Sequence, residues 1–196
     1  MSWIDPEPEA RSVAPGVALR LPRHADAREE PEGALPAVDL SAIAGARVVV
    51  RLGLTGPEGV RVRALCAAAP ADRWAPGAEE LVLDRANALA RPGAPGEVTR
   101  WDAGPIRELI ATAGAKGGFE QRFEGVARAG DGTLAVRGRH LLGFTDEPAA
   151  LLCTALCAEP AVDAAAAPRC DPVIHAVTLE GALAPPPPPG LLVRGL

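Results

Sequence analysis

A long stretch of two-residue alternation places the strongest constraint on how this chain can fold. Apolar or small residues occupy most of the alternate positions in residues 119–127, and the same alternation returns over residues 134–144. Successive side chains of a β-strand point to opposite faces, so each stretch predicts a strand with one buried face. Gly130, Asp131 and Gly132 stand between them and are typical of a tight turn. The sequence therefore predicts a long antiparallel hairpin.

Shorter segments predict further strands. Residues 46–54 and 60–67 are rich in valine and leucine and are joined by turn-forming residues 55–59, so they predict a second hairpin. Val17–Leu21 alternates and stops before a proline, as an edge strand can do. Residues 150–158 are apolar on both faces apart from one threonine, which favours a central strand or a short buried helix.

Two segments predict helices. Residues 79–90 place apolar side chains at near-helical spacing and begin with two acidic residues, where the helix dipole favours negative charge. Residues 172–183 predict a last helix that starts at Asp171 and has a proline in its first turn. Residues 97–102 and 107–112 are weaker strand candidates that lie before the long hairpin.

The order of these elements predicts the fold class and the organisation of the chain. Strands that are joined by hairpins, with few crossovers, are typical of an antiparallel sheet. We therefore predict an α+β fold, with an antiparallel sheet of about six strands covered by two helices and with flexible N- and C-terminal tails. Residues 1–15 are expected to form a flexible acidic arm, residues 16–184 a single α+β domain, and residues 185–196 a proline-rich spacer followed by an apolar tail.

The order of elements over residues 17–183 resembles the Mog1/PsbP-like fold. Bacterial members of that family include lipoproteins and secretion-effector chaperones, and most members are non-catalytic binding or adaptor proteins. The resemblance implies a non-catalytic protein-binding adaptor or a chaperone-like domain, which binds a polypeptide through one face of its sheet.

Composition and charge exclude several classes of binding protein. The chain has three Trp, three Phe and no Tyr, so a haem pocket, an RNA-stacking platform or a carbohydrate cleft built on aromatic rings is not expected. Its net charge is −5, and most of that charge lies in residues 1–40. Without a positive field the chain is not expected to bind nucleic acid. The expected partner is another protein, and the oligomeric state is left open.

The beginning of the chain bears on its expected compartment. The first nine residues are acidic where a secretion signal would be basic, and no apolar segment follows them. No apolar run approaches the roughly 20 residues of a transmembrane helix. We therefore expect a location in the cytosol of a bacterium-like cell, where cysteines stay reduced.

Three cysteines and one histidine have separations found in structural zinc sites. Two thiolates on one zinc ion must lie within about 4 Å of each other. Residues 154–156 contain no turn former, and in a strand the two flanking cysteines would be about 13 Å apart. Buried apolar thiols are therefore the favoured interpretation. A zinc or thiol enzyme, and a disulfide between Cys157 and Cys170, remain as alternatives. The four residues are Cys153, Cys157, Cys170 and His175.

The sequence contains no pattern that predicts nucleophilic catalysis. A Ser-His-Asp type of site needs a nucleophile beside a histidine and a carboxylate. None of the three serines lies in a Gly-x-Ser-x-Gly motif. His140 lies on the apolar face of its predicted strand, where a hydrogen-bonded core histidine is the expected result. We therefore predict that the chain is not an enzyme, that it has no catalytic residues, and that it needs no cofactor or metal.

The C-terminal heptapeptide, residues 190–196, is the candidate partner-binding segment. It follows five prolines, and a proline run adopts a stiff, extended polyproline II helix. A soluble protein gains nothing from exposing apolar side chains at the end of such a spacer, so we predict that they dock on a partner. The heptapeptide also resembles the cargo-loading tails of encapsulin shells, which implies an encapsulated cargo protein as the alternative function. The candidate residues are Leu191, Leu192, Val193 and Leu196.

Overall fold

The computed structural model of the chain describes residues 9–24, 26–31, 45–71, 74–90, 98–110, 116–129, 131–147, 149–161 and 169–189. Within these ranges, twelve strands and two α-helices follow one another along the chain. The strands are β1 (Glu9–Ala14), β2 (Val17–Leu21), β3 (Arg28–Glu29), β4 (Arg47–Thr55), β5 (Arg61–Pro70), β6 (Val98–Ala103), β7 (Arg107–Ile110), β8 (Lys116–Ala129), β9 (Gly132–Thr145), β10 (Ala149–Pro160), β11 (Thr178–Gly181) and β12 (Leu183–Ala184), and the helices are α1 (Ala78–Ala90) and α2 (Cys170–His175).

The strands form two antiparallel sheets. The larger sheet has nine strands in the order β3-β4-β5-β10-β9-β8-β6, with β7 paired to β8 and β12 paired to β9. The smaller sheet has the order β1-β2-β11. The predicted α+β fold, with about six strands covered by two helices, is therefore wrong. The protein is built mostly of antiparallel sheet, and the second sheet shares a core with one face of the first.

The segment predicted as the last helix explains part of this error. Helix α2 ends at His175, and the chain then continues as β11, which pairs with β2. Gly181 at the end of β11 has a φ of 113°, and an added Cβ there would lie 1.9 Å from the carbonyl oxygen of Gly16. This close backbone contact requires glycine and favours a strand end over a continued helix.

Several local predictions are confirmed. The long hairpin is β8 and β9, paired from Gly118 with Gly143 to Ala129 with Gly132. The second hairpin is β4 and β5, and the predicted helix over residues 79–90 lies within α1. The apolar segment 150–158 forms most of β10, which is a central strand between β5 and β9.

The predicted tails contain ordered parts of the fold. Residues 9–14, which belong to the predicted N-terminal arm, form β1 and pair with β2. In the proline run, the carbonyl oxygen of Pro188 accepts a hydrogen bond from the backbone N–H of Trp74, with an N···O distance of 3.2 Å. The spacer therefore lies against the domain at that point. Residues 1–8 and 190–196 lie outside the described residues.

The two faces of the large sheet bury different side chains. One face packs against α2 and the small sheet, and its core includes Leu19, Leu141, Leu151 and Val173. The other face packs against α1 around the ring of Phe144. In the described part of the chain, no helix is both long and apolar enough to cross a membrane.

Candidate functional site

Alternation within β8 and β9 concentrates charged side chains on the face that carries α2. Arg122 and Glu124 are two residues apart in β8 and therefore point to the same side of the sheet. In the antiparallel register Glu124 lies opposite Arg137 of β9, and Arg122 lies opposite Arg139. The pattern that predicted the hairpin thus also gathers charge on one of its faces.

Helix α2 is held against this face by a disulfide and by its apolar residues. Cys170, the first residue of the helix, is bonded to Cys157 of β10, with their Cα atoms 5.4 Å apart. Val173 and Ile174 are both buried in the core. A helix of only six residues is therefore fixed in place, and it forms one wall of a cleft.

The cleft between α2 and the two strands has a volume of about 370 Å³. This size lies within the range of sites that bind small molecules or a few residues of a peptide. Its lining includes two arginines, three carboxylates and one histidine, so its charge is mixed. These six residues are Asp102, Arg122, Glu124, Arg137, Asp171 and His175.

Arg137 connects α2 to the sheet through carboxylates. Its Nε donates to Oδ1 of Asp171 at 3.0 Å, and its Nη1 donates to Oε2 of Glu124. The other carboxylate oxygen of Glu124 lies 3.4 Å from Nη2 of Arg100 on β6. The positive charge of Arg137 is therefore matched by carboxylates on both sides, and the pairs stiffen the wall that α2 forms.

Arg122 has a different environment, because its partner is a neutral ring. Nδ1 of His175 lies 2.7 Å from the backbone carbonyl oxygen of Asp171, which only accepts hydrogen bonds, so Nδ1 carries the proton. Nε2 lies 2.7 Å from Nη1 of Arg122, which only donates, so Nε2 is the acceptor. Among the described residues, no carboxylate forms an ion pair with Arg122. Its side chain is exposed and lines the cleft.

A buried chain of hydrogen bonds supports the cleft from the opposite face of the sheet. The Thr154 hydroxyl donates to Nδ1 of His140 at 2.8 Å, and Nε2 of His140 donates to Oδ1 of Asn87 at 3.1 Å. The Asn87 amide donates to Gln121 at 2.8 Å, and the Gln121 amide donates to the carbonyl oxygen of Gly104 at 2.9 Å. Gly104 lines the cleft, so this chain of hydrogen bonds fixes part of the rim of the cleft.

The buried position of His140 decides what this residue can do. Its side chain has no exposed surface, and burial lowers its pKa to about 3. It is neutral at physiological pH, and both ring nitrogens already have hydrogen-bond partners. This is the core histidine that its place on the apolar face predicted.

The structure corrects the prediction for the cysteines. Cys66 and Cys153 lie opposite each other on β5 and β10 and form a disulfide, with Cα atoms 4.1 Å apart. Cys157 and Cys170 form the second disulfide, which was one of the stated alternatives. Buried free thiols, the favoured interpretation, are therefore wrong. The zinc arrangement is also wrong, because its three sulfurs belong to two separate disulfides.

Sequence reasoning missed a buried acid behind the cleft. Glu159 of β10 is only 2% exposed, and its Oε1 accepts a 3.4 Å hydrogen bond from the backbone N–H of Arg169, just before α2. Its Oε2 has no hydrogen-bond partner among the described residues. Burial raises the pKa of Glu159, and the neighbouring Arg169 opposes that effect. The only sequence signal was a single acidic residue near the end of an apolar strand.

The predicted partner-binding residues Leu191, Leu192, Val193 and Leu196 lie outside the described residues. The structure describes the chain up to Pro189, which forms a β-bridge with Trp74. Pro189, the last described residue, therefore lies beside Trp74, on the opposite side of the sheet from the cleft.

No protein-family model matches the chain, and no curated protein is significantly similar to it in sequence. The functional interpretation of the cleft therefore depends on its own geometry.

Proposed function

We propose that the chain is a non-catalytic binding domain of the adaptor type, which holds a segment of another polypeptide in the cleft beside α2. The observation that carries this proposal is the environment of Arg122. Its guanidinium group lies at a cleft of about 370 Å³ and contacts the neutral ring of His175, and within the described part of the chain it forms no ion pair. A charged donor in this state is able to bind an incoming group without first breaking an ion pair.

The rigidity of the cleft also supports binding. Its α2 wall is fixed by the Cys157–Cys170 disulfide and by the ion pair between Arg137 and Asp171. A preorganised site loses little conformational entropy when a ligand binds, so more of the contact energy becomes affinity.

The position of the cleft favours a polypeptide as the ligand. Asp102, which lines the cleft, belongs to β6, and β6 is the last strand of the described sheet on that side. An extended segment that aligns with an edge strand gains main-chain hydrogen bonds, while one of its side groups enters a neighbouring pocket. The proposal retains the predicted adaptor function and moves the contact from the C-terminal tail to the cleft.

The disulfides bear on where such a domain works. The four cysteines form two disulfides in the structure. Disulfides persist in oxidising compartments and are rare in the cytosol of most cells. The cytosolic location stays a prediction, and we favour an oxidising compartment over it. Alkylation of the unfolded, unreduced protein tests this choice, because a protein with both disulfides incorporates no label and a reduced protein incorporates four.

The proposed function is tested by selecting binders from a random peptide library with the full chain as bait. Selected peptides should shift the NMR signals of residues that line the cleft. Their binding should be lost in the Arg122→Glu variant and kept in Arg128→Glu, a matched change at an exposed position of β8 outside the cleft. If no peptide is enriched, or if the enriched peptides bind elsewhere on the domain, the proposed function is wrong.

A further inference from the structure

We infer that the cleft recognises the free C-terminal carboxylate of a polypeptide that carries a basic side chain near its end. This inference rests on the proposed function, because it names the part of the polypeptide that the cleft holds. It follows from which arginines and carboxylates of the cleft form ion pairs with each other.

Arg122 is the group that binds the carboxylate. A guanidinium group presents its N–H donors as a planar fork, which matches the two oxygens of a carboxylate. One donor of Arg122 is directed to His175 at 2.7 Å, and this contact orients the group. His175 is in its neutral form in this arrangement, so the positive charge of Arg122 is left for the ligand.

Arg137 does not compete for the same carboxylate. Its Nε is bonded to Asp171 at 3.0 Å, and its Nη1 is bonded to Glu124. A ligand would have to break these charge-assisted bonds and leave two carboxylates without their partner. The cleft therefore offers one anion-binding position.

The other carboxylates of the cleft select against an acidic segment. Three carboxylates line the cleft against two arginines, and Asp102 forms no ion pair with any described residue. A run of acidic side chains would meet repulsion from Asp102, Glu124 and Asp171, which disfavours such ligands. A single carboxylate with a positive charge beside it satisfies both Arg122 and Asp102. The end of a polypeptide with a basic residue near it has this combination of charges.

Four acetylated peptides of four residues test the inference by calorimetry or NMR titration against the full chain. The first is Ala-Ala-Lys-Ala with a free terminal carboxylate, and the second is the same peptide with a terminal amide. The third replaces the lysine of the first with glutamate. The fourth, Ala-Lys-Glu-Ala with a terminal amide, supplies its carboxylate from a side chain.

We expect the first peptide to bind at least tenfold more tightly than each of the other three. Hydrogen bonds to charged groups contribute about 1.5–3 kcal/mol, and 1.4 kcal/mol corresponds to a factor of ten. The Arg122→Gln variant should remove the preference for the free acid over the amide. Arg128→Gln, outside the cleft, should retain the preference.

Three results would overturn the inference and leave the proposed function standing. The first is equal affinity for the free acid and the amide, and the second is equal affinity for the terminal and the side-chain carboxylate, while library peptides still bind at the cleft. The third is that none of the four peptides binds while library peptides do bind at the cleft. The proposed function itself is overturned only when library peptides do not bind at the cleft.

Discussion

The pH dependence of stability should report the burial of His140. The ring has no exposed surface, accepts a hydrogen bond from Thr154 and donates one to Asn87. Burial lowers the pKa of His140 from 6.5 to about 3. A proton added to the ring would place a positive charge in a site that is buried away from solvent, so the folded protein resists protonation.

The direction and size of the effect follow from proton linkage. In the unfolded chain the histidine binds a proton below pH 6.5, whereas in the folded chain it stays neutral until about pH 3. The contribution of His140 to stability is therefore complete above pH 6.5 and is lost as the pH falls toward 3. Each pH unit below 6.5 costs about 1.4 kcal/mol. At pH 5 the loss should be about 2 kcal/mol relative to pH 8.

The assay is urea unfolding of the wild type and His140→Gln at pH 8 and pH 5. The variant should be less stable than the wild type at pH 8, because the hydrogen-bond chain is disturbed. From pH 8 to pH 5, the unfolding free energy of the variant should decrease by about 2 kcal/mol less than that of the wild type. Equal falls for the two proteins would refute the argument. An NMR signal of the His140 ring that titrates near pH 6.5 in the folded protein would also refute it.

Three other changes test the buried parts of the fold. Glu159→Gln should raise the unfolding free energy at pH 7 by about 1 kcal/mol, since it removes a buried charge. The pKa of Glu159 is raised in the folded state, so below pH 4.5 its carboxyl group is protonated in both the folded and the unfolded protein. The gain should therefore disappear below pH 4.5 in the same urea assay. Gly138→Ala should destabilise the protein by about 1–3 kcal/mol, because an added Cβ would lie 1.9 Å from the Phe123 ring. The additional change Phe123→Leu should recover part of the loss in melting temperature. In the loop-closure model, loss of the Cys66–Cys153 disulfide should cost about 5 kcal/mol and loss of the other disulfide about 3 kcal/mol, since 87 and 13 residues separate the paired cysteines. Equal losses in the paired alanine variants would contradict this reasoning.

The parts of the fold that could be predicted are those that depend on neighbouring residues. The β8–β9 hairpin was recognisable because its alternation and its glycine turn lie within one continuous stretch. The β11 strand was not recognisable, because only four residues form it and its pairing with β2 decides its conformation. The three strands of the second sheet therefore appeared in the sequence as part of an arm, an edge strand and part of a helix.

The same limit applies to the disulfides and the cleft. Pairing of Cys66 with Cys153 requires the register of β5 against β10, which no local pattern contains. Alternation places Arg122 on the polar side of β8, but nothing in that strand indicates that His175 of α2 contacts it. Spacing in the sequence singles out cysteines and a histidine that are close together in the chain, whereas the cleft combines residues from four separate elements.

The core and the cleft are connected at Gly104, and this connection explains why polar side chains are retained inside the sheet. The N–H of Gly104 donates to the carbonyl oxygen of Arg122 at 2.8 Å, and its own carbonyl oxygen accepts from Gln121 at 2.9 Å. Gln121 is oriented in turn by Asn87, which bonds His140. An apolar core would leave the Gly104 carbonyl without this donor and the rim of the cleft less fixed. The buried chain of hydrogen bonds therefore holds the backbone beside Arg122, although none of its side chains is among those that line the cleft.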